Sequence, residues 1–343
     1  METTENDNLT MKDKRNYSLM AHNTFGIEAK CSRFLEYDNV EEAQHVARVL
    51  HRSRMPMMVI GSGSNLLLTR DFKGIVVHSA MKDYSQQGCR FTCGSGMLWD
   101  DVVDISIKAG CYGAENLSLI PGDVGASAVQ NIGAYGSEVK DLIVEIEAVE
   151  IASARVCTIN PVDCQYAYRQ SRFKGEWKNK YLITRVTYEF SKEFVPRLEY
   201  GNILAELNRR GIGHPTPQQL RETIIDIRNA KLPDPKVLGN GGSFFMNPVV
   251  SKAKYMLLSA QYPGMPHYDV DSRHVKIPAG WMIEQCGWKG RSLGRAGVHD
   301  KQALVLVNRG SATGTEIVEL CRAIQHDVKE RFGVCIYPEV NIV

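Results

Sequence analysis

No stretch of this chain reaches the ~18 consecutive apolar residues that cross a bilayer, and its polar, charge-mixed opening from Met1 to Arg15 holds no apolar signal core. Neither a membrane span nor an export signal is expected. The reading is of a cytoplasmic protein whose first ~16 residues form a solvated tail. An excess of one charge is missing too: 41 Lys and Arg against 39 Asp and Glu leave a net +2. That balance supplies no basic surface for a nucleic-acid backbone, so an acidic ligand has to be met by a few placed cations. Internal repeats and low-complexity tracts are absent, which excludes solenoids and arrays. No Cys-x-x-Cys pair occurs either. The nine cysteines, Cys31, Cys89, Cys93, Cys111, Cys157, Cys164, Cys286, Cys321 and Cys335, stand singly and are odd in number. They read as free thiols in a reducing compartment, with no disulfide framework and no metal site.

What is present suits a globular enzyme: 43% hydrophobic and 23% charged residues over 343 positions, room for two or three domains. A helix is predicted over Asn39–Leu50, where Val40, Ala43, Val46, Ala47 and Leu50 share a face, Asn39 caps, and Glu42 completes a capping box. The apolar runs Met57–Ile60 and Ile75–Val77 read as strands, which makes the start a small α/β unit. Val144–Ile151 and Tyr181–Phe190 alternate as strands do. Near 211–217 the composition turns to Gly, His and Pro, and a boundary is placed there. Thr216, Pro217 and Gln219 then signal a helix with Leu220, Ile224 and Ile227 on one side. A last helix is predicted from Thr315 to Arg331, with Ile317, Leu320, Cys321, Ile324 and Val328 as its stripe and Gly333 past its end. Cys335–Val343 reads as a strand returning to the body.

Two glycine-rich stretches carry the functional signal. Gly61-Ser62-Gly63-Ser64-Asn65 follows the strand ending at Ile60. The third glycine of a dinucleotide fingerprint is missing, and Leu66-Leu67-Leu68 is too short to open the required helix, which disfavours a Rossmann reading. A backbone nest for an anion and a plain strand–turn–strand both remain. The second stretch, Ile120 to Gly136, holds four glycines (Gly122, Gly125, Gly133, Gly136) together with Ala126, Ser127, Ala128 and Ala134. So many small residues weaken a core strand, yet they suit a backbone lying against a large flat ligand.

Together these stretches resemble the flavin-binding loops of the UDP-N-acetylenolpyruvoylglucosamine reductases, a family of vanillyl-alcohol-oxidase-like flavoproteins. The likeness runs from Asn23 to the C-terminus. It implies an α+β protein with a vanillyl-alcohol-oxidase-like (PCMH-type) FAD-binding fold of two α/β subdomains, residues 1–80 completed by 334–343 and residues 81–214. An α+β substrate domain would follow over 215–333. The FAD contacts implied are Ile60, Gly61, Ser62, Gly63, Ser64 and Asn65 in the first loop. In the second they are Ile120, Pro121, Gly122, Gly125, Ala126, Ser127, Gln130, Asn131, Gly133, Ala134, Tyr135 and Gly136, with Ile183 beyond it.

Three further segments resemble that family. Tyr166-Ala-Tyr-Arg-Gln-Ser-Arg-Phe173 places the catalytic cation at Arg169, Gly239-Asn-Gly-Gly-Ser-Phe-Phe-Met-Asn-Pro248 the proton donor at Ser243, and Tyr337-Pro-Glu-Val340 a glutamate at Glu339. For the UDP-sugar the resemblance implies Tyr200, Arg228 near the enolpyruvyl carboxylate, Lys231 on the diphosphate, Asn247 and Gln302. Leu198-Glu-Tyr-Gly201 marks the subtype with an extra tyrosine-bearing loop. The implied reaction is reduction of UDP-N-acetylglucosamine enolpyruvate to UDP-N-acetylmuramate for peptidoglycan synthesis, with NADPH and FAD, no metal, and a monomeric enzyme.

The chemistry fits those residue types. An enolpyruvyl ether accepts a hydride at C3, negative charge builds on its carboxylate, and a fixed guanidinium stabilises that charge. C2 then needs a proton on one face, which a hydrogen-bonded serine hydroxyl can give to so basic a carbon. Glu339, an anion beside a developing dianion, is expected to be protonated or to act through hydrogen bonds. On residue type alone Arg169, Ser243 and Glu339 read as a surface charge, a turn hydroxyl and a solvated residue. Arg228 and Lys231, three apart, equally suit a helix C-terminus. One departure stands at Asn341, where many of these reductases carry a basic residue. Two other readings are a flavin oxidase of the same fold and a catalytically inert nucleotide-sugar-binding protein.

Overall fold

The computed structural model describes residues 11–343, and the chain forms two compact units. The first gathers the segment ending at Tyr17, Cys31–Ser62 and Lys73–Arg228; the second gathers Ser18–Lys30, Gly63–Phe72 and Asn229–Val343. In the first unit one sheet runs in the order Lys12–Ser18, Lys30–Tyr37, Phe72–Ser79, Met57–Ile60. An antiparallel five-stranded sheet runs Val156–Ile159, Ile143–Glu150, Tyr181–Glu189, Arg90–Gly94, Tyr84–Gln87. The Val40–Arg52 helix starts where its cap predicts, Asn39 Oδ1 accepting from Glu42 N at 2.8 Å. Glu42 returns its bond to Asp38 N, one residue earlier than a strict capping box. Its stripe Ala43, Val46, Ala47 and Leu50 joins Leu35 and Val77 of one sheet and Val149 and Leu182 of the other in a single core.

Two sequence expectations fail in this unit. Lys12–Ser18, most of which was expected to lie in a solvated tail, is an edge strand; residues 1–10 lie outside the described residues. Mostly exposed and polar, the strand has no apolar alternation to betray it. Tyr17 stacked on Phe34 at 4.3 Å and a two-pronged Arg33–Asp13 ion pair hold it. Nor are all the cysteines free. Cys89, in the turn before Arg90–Gly94, is disulfide-bonded to Cys111, just past the Trp99–Lys108 helix, with Cα atoms 5.4 Å apart. A spacing of 22 residues carries no motif, and tertiary packing alone brings the pair together. Thiol titration in denaturant without reductant is expected to find the seven other cysteines. Reduction should lower stability by about 2–4 kcal/mol. All nine reacting before reduction would contradict the bond.

In the second unit a sheet runs Asn240–Ser243, Val305–Asn308, Ala296–Val298, Ser292–Leu293, with the Gly314–Phe332 helix packed on it. That helix carries a full capping box between Thr313 and Glu316 and ends on Gly333 in the left-handed region, φ 58°. A smaller sheet runs Val249–Ser251, His274–Lys276, Tyr268–Asp269. The returning C-terminal strand is only Asn341–Ile342, and it pairs parallel with Leu66–Leu67. Those leucines follow the first glycine loop as a strand, as their short run suggested. Among the described residues no helix is long and apolar enough to cross a membrane, and no cluster of His, Cys, Asp or Glu could hold a metal ion.

Candidate active site

In the first unit, Ile60 closes its strand and the chain turns through Gly61 and Ser62. A Cβ on Gly61 would stand 2.7 Å from Asp123 Oδ2, so the Asp123 carboxyl lies close against the Gly61 backbone where the two glycine stretches meet. The second stretch opens with Ile120, Pro121 and Gly122 and then forms a short helix, Val124–Gln130, which the sequence did not reveal. A Cβ on Gly125 would come within 3.0 Å of Ser95 Cβ, so part of the demand for small residues is internal packing, not ligand approach. Ser127 likewise turns inward, its hydroxyl bonded to Val124 O at 2.7 Å and Tyr188 OH at 2.9 Å. Ala126 and Gln130 are half-buried on the same helix. Asn131 ends it in the left-handed region, its amide bonded to Glu138 and to Ala167 O. Ile183 is buried in the central strand and holds Tyr37 OH on its carbonyl.

Gly133–Ala134 pairs with Ser137–Glu138 in a tight hairpin, and Arg169 lies across it. Arg169 Nη2 donates to Gly133 O at 2.6 Å, and a Cβ on Gly133 would sit 3.1 Å from Nη1. The arginine occupies a turn closed by Ala167 and Gln170, at φ 56°, uncommon for a side-chain-bearing residue. Arg228, near the end of the Pro217–Lys231 helix, has its Nε buried without a partner in hydrogen-bond geometry. Burial lowers its basicity, Tyr135 and Asp100 oppose that, and the charge of Arg169 lowers it further, so the two guanidiniums share one field. Tyr135 and Gly136 both take positive φ; where a Gly136 Cβ would stand lies the ring of Tyr200. The structure thus brings Arg169, Arg228, Tyr135, Gly136 and Tyr200 into one neighbourhood.

The second unit gathers the other candidates. Ser243 is the exposed end of a strand interrupted by a bulge, with Gly242 at φ 68°. The next carbonyl, Phe244 O, accepts from Glu339 N at 2.8 Å, so Ser243 and Glu339 occupy neighbouring places in one ladder. Asn65 Nδ2 donates to Glu339 O at 3.3 Å, tying the first glycine loop to the glutamate segment. Ser64 and Asn65 are half-buried, and Gly63, at φ 71°, leaves room for the His22 carbonyl. Asn247 Oδ1 accepts from Ala279 N at 2.9 Å, and Gln302 Oε1 lies 3.1 Å from where a Gly280 Cβ would be, so these two meet at the start of one helix. Lys231 is half-buried at the end of its helix. Asn341 binds Asn65 O through its backbone and its side chain, each at 3.1 Å.

Sequence reasoning missed three polar residues, Asp123 and Asn116 buried and Asp100 half-buried. Asp123 stands where the two glycine stretches meet. Asn116 donates to Tyr135 O at 2.9 Å and Arg197 O at 3.0 Å, fastening the hairpin to the segment that leads to Tyr200. Asp100 accepts from Arg221 Nη1 at 2.7 Å and Nη2 at 3.0 Å, and from Leu119 N just before the second glycine stretch. Asp100 and Arg221 are 121 positions apart, which no motif reports. Arg221 is buried and its Nε lies 3.6 Å from Asp104 Oδ1, so removing Asp100 leaves the charge with only that longer contact. Asp100→Ala is expected to cost about 3 kcal/mol by chemical denaturation; a loss below ~1 kcal/mol, the worth of an exposed pair, would contradict that role.

The C-terminal domain model of UDP-N-acetylenolpyruvoylglucosamine reductase matches residues 234–343, and an FAD binding domain model matches residues 32–160. The reductase of Bacteroides fragilis (strain YCH46) is 47% identical over 336 residues, covering 96% of this chain and 100% of that protein. The chain belongs to the UDP-N-acetylenolpyruvoylglucosamine reductase family. The reductases of Flavobacterium johnsoniae and Porphyromonas gingivalis (strain ATCC 33277) are 42% and 43% identical, each over 97% of this chain and 100% of their own length. The crystal structure of the Thermus caldophilus reductase superposes with TM-score 0.69 at 22% identity, over 97% of this chain and 99% of that one, which speaks for the fold. The α+β fold implied by the motifs is observed, and the FAD binding domain model falls on the segment that holds both glycine stretches. The residues present suit an anionic dinucleotide: Gly61 leaves its backbone bare, and Ser62 Oγ is buried with no partner in hydrogen-bond geometry.

Proposed function

We propose that this protein reduces UDP-N-acetylglucosamine enolpyruvate to UDP-N-acetylmuramate, with FAD as bound cofactor and NADPH as reductant, supplying peptidoglycan precursor synthesis. The observation that carries the reading is the pair Arg169 and Arg228, two guanidiniums in one field with one Nε buried and unbonded. Such a site is built for an anion, and the enolpyruvyl carboxylate is one. FAD, when bound, supplies the hydride that reaches C3. Gly61 to Asn65 and Ile120 to Gly136 would hold it. Arg169, anchored on Gly133 O, stabilises the charge that builds on the carboxylate, and Arg228 fixes the same group. Ser243 gives its hydroxyl proton to C2, and Glu339, its ladder neighbour, orients that hydroxyl.

Tyr200, Lys231, Asn247 and Gln302 bind the UDP-sugar in this reading. Residues 1–80 with 334–343, and residues 81–214, serve FAD; residues 215–333 serve the substrate. The enzyme works in the cytoplasm as a monomer. NADPH oxidation is expected to depend strictly on the enolpyruvyl sugar, and mass spectrometry should find the product heavier by two hydrogens. NADPH consumption driven only by oxygen would point to a flavin oxidase instead.

A further inference from the structure

We infer that Asp123 holds a proton whenever FAD is bound, so that cofactor binding takes up a proton from solvent. The inference rests on the proposed FAD site and names a side chain in the second glycine stretch that is not among the implied FAD contacts. The carboxylate is only 4% exposed, and its Oδ2 sits against the backbone of Gly61, at the seam between the two stretches. Its main chain is pinned on both sides: Trp99 N donates to Gly122 O at 3.0 Å, Val124 N to Met97 O at 2.9 Å, and Leu98 bridges Asp123 itself. The backbone that carries the carboxylate is therefore fixed at the seam.

No cation among the described residues forms an ion pair with Asp123. Lys82, after the Phe72–Ser79 strand, acts on it from a distance. The Ile60–Ser62 turn brings no ionisable side chain. On the adjoining helix Asp100 is turned to Arg221 and Leu119, and Asp83 beside Lys82 is turned to Arg185. A carboxylate so enclosed is costly to ionise. Burial pushes its pKa from 3.8 up to about 6, against the Ser62 amide, the nearby Ser62 hydroxyl and the charge of Lys82. A diphosphate brought to the same seam is a like charge and raises the value again.

The sign follows from linkage. Below pH 6 Asp123 is already neutral and FAD binds without proton transfer. Above pH 6 the free site is ionised and the occupied site is not, so each added pH unit weakens FAD up to tenfold. Folding without cofactor follows the same direction: with the folded value above the unfolded one, stability is full below pH 3.8 and lost as pH rises through about 6.

The test is release of FAD from the full-length holoenzyme on dilution, read by flavin fluorescence from pH 5.5 to 8.5, for wild type and Asp123→Asn. The dissociation constant is expected to rise steeply with pH in wild type, while the asparagine variant stays flat and holds FAD at least tenfold more tightly at pH 8. Calorimetry of FAD binding to wild type in buffers of different ionisation enthalpy gives the proton count directly, should the variant fail to fold. FAD held with the same constant at every pH, and no proton taken up at pH 7.5, would overturn the role of Asp123 and leave the proposed function standing. No FAD bound at any pH would instead remove the proposed function.

Discussion

Ser243→Ala is expected to keep the enolpyruvyl sugar bound and to slow its reduction about 10²–10⁴-fold, the usual worth of a positioned proton donor. The serine ends a strand that a bulge and the positive φ of Gly242 bend out of register, leaving Ser243 exposed while Phe244 beside it is buried. That local geometry presents a hydroxyl from a rigid support, and the ladder bond between Phe244 O and Glu339 N fixes the carboxylate segment beside it. A methyl in place of the hydroxyl removes the proton and little else. Rapid-mixing of the reduced variant with substrate separates the two effects, since binding should be unchanged and only the chemical step slow. An unchanged rate would take the proton-transfer role away from Ser243.

Arg169→Ala is expected to lower kcat/KM about 10²–10³-fold, roughly 2.7–4 kcal/mol of lost charge stabilisation. The arginine is held in advance: its backbone sits at φ 56° in a closed turn, and its guanidinium is bonded to Gly133 O. Lysine offers a point charge without the planar fork, so Arg169→Lys should recover only part of the loss. Steady-state kinetics should show the fall mainly in kcat, because the charge develops after binding. A change confined to KM would make Arg169 a ground-state binder only.

Much of the fold was legible where local chemistry and tertiary packing agree. The caps at Asn39, Thr216 and Gly333 start or stop helices within a residue or two of their predicted ends, because capping satisfies backbone groups that any helix leaves open. The Lys12–Ser18 strand was illegible since its residues are polar on both faces and gain order from Phe34 and Arg33. The Val124–Gln130 helix hid behind glycine and alanine, which signal slimness before they signal helix. In the site, motif residues could be named by resemblance. The residues that hold them could not: Asp100 meets Arg221 across 121 positions, and Asp123 matters through a Cβ that Gly61 does not have.

The most direct test of the account is an anaerobic titration of the reduced holoenzyme with UDP-N-acetylglucosamine enolpyruvate, followed by flavin absorbance. The oxidised spectrum should return in proportion to the sugar added, with UDP-N-acetylglucosamine inert. A flavin that stays reduced until oxygen is admitted would contradict the claim that this chain reduces an enolpyruvyl acceptor.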